Sequence, residues 1–225
     1  MKLLKREEIE NIKREEFERF VLNLKQEVIS KVSAVSRKGT ENLISFLEKS
    51  SFFSDPASAY YHNSIHGGLL LHSYNVFEIG NKMNGTLNLG LEEESIFLVS
   101  LIHDFCKIGN YKIGTRRKQD PRYKNDPTKK YGWYDAPAYT FVGPKLDFGH
   151  GPTSLYYILK KVGSDFLTET EELAITHHMG PWECENAKKF GNIAEQNPLL
   201  LLLHSADTWA GLHYEVRGPV EHLIF

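Results

Sequence analysis

The sequence predicts an all-α domain with an N-terminal helical extension and one small irregular or β-hairpin insert. Three observations lead there. Apolar residues recur at helical spacing in about seven segments, capping residues stand where several of these begin, and a single long stretch, 109–149, lacks the period. With 225 residues the chain can bury one substantial core.

Taken in order, residues 3–32 carry Ile9, Ile12, Phe17, Phe20, Leu24 and Val28 among Glu, Lys and Arg, the pattern of a helix with one buried stripe. A second helix is expected over 40–50. Residues 51–68, with Pro56 and the pair Gly67-Gly68, read as a loop. Helices follow at 69–83 and 92–107. Within 109–149 the aromatic runs YGWY and YTFV are expected to pair as a small hairpin. Pro152 suits the first turn of a helix reaching Lys161, and Thr168 with Glu171 forms a capping box for one ending at His177-His178, before Gly180 and Pro181. Asn197 before Pro198 starts a last helix through Asp207 to Ala210. The division expected is a helical extension over 1–50 and a domain over 51–225.

Composition excludes several classes. Hydrophobic residues at 41% and charged residues at 25% are ordinary for a globular protein, and a net charge of -2 gives no global reason for a polyanionic partner. Cys106 and Cys184 form no CxxC pair, so a disulfide framework is not expected. The first twenty residues are too charged for a signal peptide, and LLLLL at 199–203 is far too short to span a bilayer. A cytoplasmic protein without membrane contact is the expectation.

Chemistry concentrates in a set of histidines and aspartates. His72 shares a stripe with Leu69, Val76 and Ile79, and His103 with Ile96 and Val99, so both face inward. Asp104 follows about 100° further round the same helix, where the negative end of the dipole favours a cation. His177 and His178 end their helix in the same way, and Asp207 lies on an apolar face seven residues after Leu200. A lone inward histidine is usually a hydrogen-bonded core residue. An aspartate on an apolar stripe is different, because an unpaired buried charge costs several kcal/mol. Two such aspartates need a cation. Imidazole and carboxylate with almost no thiol suit a hard or borderline divalent ion.

The order H…HD…H…HH…D, with HSYNV at 72–76 and HDFCKIG at 103–109, resembles the HD-domain superfamily of metal-dependent phosphohydrolases from about His62 to Gly211. The resemblance implies an HD-domain helical bundle in which His72, His103, Asp104 and Asp207 hold one ion. It also implies that Asp104 bridges to a second ion held by His150 with His177, His178 or both. Which metal is not specified among Mn, Mg, Fe, Co, Ni and Zn. Lys107 stands where family members often place a lysine near substrate phosphate; the alternative is an exposed helix-end lysine. YHNSIH at 61–66 also resembles the motif of cyclic-nucleotide phosphodiesterases, in which His66 is the ligand and His62 the proton donor. We prefer His72, which lies on a helix facing the core, and give His62 and His66 supporting or substrate roles, with His66 as a direct ligand the alternative. His204 reads as a supporting or core residue, and His213 and His222 as surface residues.

The expected activity is hydrolysis of a phosphoester in a nucleotide or nucleotide-like substrate by metal-activated water, with Asp104, His62, His66 and Lys107 as catalytic candidates. The helix start after His150 is a natural phosphate seat. Lys112, Arg116, Arg117, Lys118, Arg122, Lys124, Lys129 and Lys130, against Asp120 and Asp126, make the insert basic, with Tyr123, Tyr131, Trp133 and Tyr134 close by. Arg116, Arg117, Lys118 and Lys130 are the substrate-binding candidates, and single-stranded nucleic acid is a further partner the insert suggests. The bland alternative is a solvated loop over the site mouth. Rival activities are 3′-5′ exonuclease or phosphodiesterase action on nucleic acid or a cyclic nucleotide, oxygen activation at two irons on the same scaffold, and a silent sensor. The N-terminal helix is expected to pack on the domain, with a homodimer contact as its second role.

Overall fold

Local sequence divides the N-terminal amphipathic stretch in two. The computed structural model describes residues 4–225 apart from 126, 127, 129, 144, 145 and 147, so Asp126 and Lys129 lie outside the described residues. In place of one helix over 3–32 there are α1 (Arg6–Asn11) and α2 (Arg14–Ala34), separated where Ile12 and Lys13 take extended backbone angles. With that break both Ile9 and Phe17 are fully buried. The rest of α2 buries Val21, Leu24, Val28 and Val32, one stripe at spacings of three and four. Helix α3 (Thr40–Lys49) buries Leu43 and Leu47.

Helix α4 (Gly68–Leu87) is the central element and packs against both α5 (Glu93–Ile102) and α9 (Pro198–Trp209). Its start depends on the glycine pair. Gly67 has φ of 68°, and a Cβ on Gly68 would lie 2.0 Å from the carbonyl oxygen of Asn63. Helix α5 is apolar on all sides and is buried from Ile96 through Ile102. It stops five residues before the expected end at 107. His103 closes it, Asp104 leaves helical geometry, and Phe105–Lys107 tightens into a 3₁₀ turn.

The insert is a hairpin with another register than expected. Strand β1 (Tyr111–Gln119) pairs antiparallel with β2 (Trp133–Phe141), from Tyr111 opposite Phe141 to Gln119 opposite Trp133. Most of both aromatic runs therefore falls on one strand, and their partner is the basic run YKIGTRRKQ. Beyond it come α6 (His150–Lys161), α7 (Glu169–His177) and α8 (Ala187–Gln196), then α9. Thr168 and Glu171 form the expected capping box, and Asn197 caps α9 through the Leu200 amide. Helix α8 was not expected. The described residues thus hold nine α-helices and one two-stranded sheet, a mostly helical fold with a small insert.

One core runs through the helices and includes Ile9, Phe17 and Leu24 of the N-terminal pair together with Leu69, Val99, Ile175 and Leu203. Across its base Arg37 makes a bidentate pair with the fully buried Glu171 (2.7 and 2.9 Å), which fastens the α2–α3 turn to α7. Among the described residues no helix is long and apolar enough to cross a membrane.

Candidate metal centre

Four chain segments deliver side chains to one buried point. His72 projects inward from the middle of α4 and is fully buried. His103 and Asp104 come from the end of α5, where the chain breaks out of the helix. Ser154 of α6 holds that break: its hydroxyl donates to the His103 carbonyl (2.5 Å) and accepts from the Cys106 amide (3.0 Å). His178 caps the end of α7, and its carbonyl accepts from Nδ1 of His204 on α9 (2.8 Å). Gly180 permits this seat, because a Cβ there would lie 2.5 Å from the His204 ring. Asp207 comes from the last turn of α9.

The ligand atoms lie close together. His72 Nε2 is 3.2 Å from His103 Nε2, 3.3 Å from Asp104 Oδ2 and 3.2 Å from Asp207 Oδ1. His103 Nε2 is 3.4 Å from Asp104 Oδ2 and 3.9 Å from Asp207 Oδ1, and His178 Nε2 is 4.0 Å from Asp104 Oδ1. Bonds of about 2.0–2.2 Å to one ion set neighbouring ligands about 3–3.5 Å apart. The sets His72, His103, Asp104 and His103, His178, Asp207 could each hold a metal ion.

Hydrogen bonds on the far side of each ring say which nitrogen faces the centre. His103 Nδ1 donates to the Ser100 carbonyl (2.8 Å), His178 Nδ1 to the Ile175 carbonyl (2.7 Å) and His72 Nδ1 to the Glu215 carboxylate (2.9 Å). In a neutral imidazole the proton is then on Nδ1, so each Nε2 presents a lone pair. Two such lone pairs 3.2 Å apart repel unless a proton or a metal cation lies against them. The buried Nε2 of His178 has no hydrogen-bond partner among the described residues. These donors fit a divalent cation.

Electrostatics point the same way. Burial opposes a charge on His72, but Glu215, Asp104 and Asp207 outweigh it and raise its pKa well above the usual imidazole range. Burial would also raise the Asp104 carboxyl, yet Lys107 and His103 hold it well below the usual range. Asp207 is lowered likewise, against its burial, by His72 and His103. His178, desolvated and beside His103, is pushed down to about 4, which leaves it neutral and able to ligate. Carboxylates that would keep a proton on His72 are equally placed to keep a cation.

Behind the centre lies a carboxylate that sequence reasoning missed. Glu215, fully buried, accepts from His72 through Oε1 and from His62 Nδ1 through Oε2 (2.6 Å), and Asn75 Nδ2 also donates to Oε1 (3.1 Å). A π-helical turn at Ala210–Tyr214 and bridges from His62 to Arg217 and from Ser64 to Pro219 carry it there. It belongs to no periodic segment and lies 143 residues from His72, so no local signal marks it. His62, His72 and Glu215 form a third set of converging ligand atoms.

Other expected residues lie elsewhere. Lys107 is largely buried, with Nζ 2.6 Å from Asp104 Oδ2, and is not the exposed helix-end lysine of the alternative reading. His66 stacks on Phe225 at 4.4 Å, with Nδ1 directed at the Phe225 carbonyl, and is in none of the converging sets found among the described residues. The same is true of His150 and His177. His150 binds Glu183 through Nδ1 (2.7 Å), and its backbone N–H donates to the same carboxylate (2.9 Å). Glu183 therefore occupies the start of α6 that was expected to seat phosphate. His177 is partly exposed, 3.6 Å from Cys184 Sγ. Arg116 lies over the Tyr60 ring, Arg117 over the Trp133 ring, Lys118 pairs with Glu221 (2.7 Å) and Lys130 is exposed. His204 is the supporting residue described above, while His213 and His222 are exposed. Lys107, whose ammonium touches Asp104, also lines a cavity of about 210 Å³ with Tyr111, Phe141, His150 and Thr153 among others.

A scan against protein-family models, a search of curated proteins and a search of solved structures each found no match to this chain.

Proposed function

We propose that the chain is a metal-dependent phosphohydrolase of the HD-domain superfamily, cleaving a phosphoester of a nucleotide or nucleotide-like substrate. The observation that carries this reading is the meeting of His72, His103, His178, Asp104 and Asp207 around one buried point, beside Lys107 and a small cavity. One or two divalent ions held there would acidify water and offset the charge of a phosphoryl group.

The chain's own groups supply the rest. Asp104 and Asp207 balance the positive charge, and the neutral imidazoles complete the ligand set without quenching it. Glu215 fixes the His72 ring and, with its other oxygen, orients His62. With Nδ1 engaged, His62 has Nε2 available to exchange a proton with a leaving group, the role that a nearby acid must fill. Lys107 sits where a cation meets both Asp104 and the cavity.

Purified protein assayed with Mn, Mg, Co and Ni against a panel of nucleotides and simple phosphoesters is expected to release product only with metal. His103→Ala and Asp104→Ala are expected to abolish that release. Absence of turnover with every metal would overturn the reading. A histidine-rich set of three imidazoles and two carboxylates also suits iron, which keeps oxygen activation as the second reading. Iron content with oxygen uptake, measured on the same preparation, decides between them.

A further inference from the structure

We infer that the outward face of the β1–β2 hairpin is a track for single-stranded nucleic acid, leading to the metal centre. Cross-strand register places Tyr111, Ile113 and Arg117 on one face with Phe141 and Trp133. The other face is turned to the body: Ala136 and Ala138 are buried there, and both Lys118 and the Tyr134 hydroxyl bond to Glu221. Those contacts fasten the hairpin and leave the first face outward at Ile113, Arg117, Phe141 and Trp133, while Tyr139, opposite Ile113 on the same face, is buried. Ile113, Phe141 and Trp133 on it are 51%, 51% and 40% exposed.

Both ends of this face have a chemical logic. At the root Tyr111 and Phe141 line the same cavity as Lys107, whose ammonium touches Asp104. Toward the tip the Arg117 guanidinium lies 5.6 Å from the centroid of the Trp133 ring, with Tyr123 and Tyr131 exposed nearby in sequence. Stacked aromatic and guanidinium planes bind unpaired bases, which every base can offer once it is unstacked. Charge agrees. Residues 109–149 hold nine Lys and Arg against four Asp, whereas the whole chain is -2. Asp135, opposite Arg117, is the acidic residue on the outward face among those described.

Cleavage of such a strand rests on the function proposed above; binding does not, and the test reads binding alone. A labelled oligothymidylate of about twelve nucleotides is titrated with the full chain in EDTA, and anisotropy is followed over a salt series. Saturable binding that weakens steeply with salt is expected. Trp133→Ala and Arg117→Glu are each expected to weaken it about tenfold or more, Trp133→Phe is expected to retain it, and unchanged melting temperatures would show that the variants fold. Equal binding by wild type and both variants overturns the inference, as does a preference for duplex of the same length or no binding at low salt. Binding without turnover of any phosphoester would sink the enzymatic reading and leave the track standing.

Discussion

The metal centre and the hairpin differ in how firmly the fold holds them. Around the centre each imidazole is held from behind and Asp104 from the side: Glu215 behind His72, Ser100 behind His103, Ile175 behind His178, and Lys107 beside Asp104. The hairpin touches the body through few groups, chiefly Glu221 and the buried alanines, and most of its charged and aromatic side chains are exposed. Under the proposed function, a reaction centre whose geometry must be set before substrate arrives would sit on helices and helix ends in the core. Recognition tolerates adjustment, so it can be carried on an appended ribbon.

Substitutions can break this contrast. The largest effect is expected from Asp104→Ala, which removes a carboxylate shared by His72, His103, His178 and Lys107. Turnover should fall by at least ~10³-fold, about 4 kcal/mol of barrier, measured as metal-dependent product release. Next comes the scaffold. Arg37→Ala strands the buried Glu171 carboxylate and should cost about 3–5 kcal/mol in urea unfolding. That contribution carries a pH signature. Burial pushes the Glu171 carboxyl up, but Arg37 and the Thr168 amide outweigh it and leave its pKa below the ordinary 4.5. The stability difference between wild type and Arg37→Ala should therefore be full only above the pKa to which burial raises Glu171 in the variant, and shrink as pH falls toward the lowered wild-type value.

A smaller effect sharpens the comparison from inside the centre. Glu215→Gln keeps the shape but makes His72 and His62 share a neutral partner. Metal affinity should drop about 10–100-fold, read by titration calorimetry. Smallest of all, Trp133→Ala should change folding stability by no more than about 0.5 kcal/mol, because that ring lies on the exposed ribbon. A large loss of stability there would mean that the hairpin belongs to the core.

Legibility in the sequence follows the same divide. Helices with one apolar stripe and a capping pair, such as the one opened by Thr168 and Glu171, could be read because their signals lie within a few residues. His72, His103 and Asp207 could be read as inward for the same reason, whereas the choice of His178 over His177 could not. Glu215 and Ser154 could not, since their partners are 143 and 51 residues away and nothing local distinguishes them. Helix α8 was not expected because its apolar stripe is short, carried by Phe190, Ile193 and Ala194 among polar residues. The end of α5 was overextended because the apolar run continues into Phe105, while the Ser154 hydroxyl that secures the break comes from another helix. In the hairpin, basic residues on both faces of β1 hide the alternation that would have identified it as a strand.

Calorimetric titration of the EDTA-treated, dialysed chain with Mn²⁺, alongside His103→Ala and Asp104→Ala, tests the converging ligand set most directly. Saturable uptake of at least one ion by wild type, lost or strongly weakened in both variants, is the predicted result. Wild type that takes up no ion at saturating metal, or variants that bind as it does, would contradict the account.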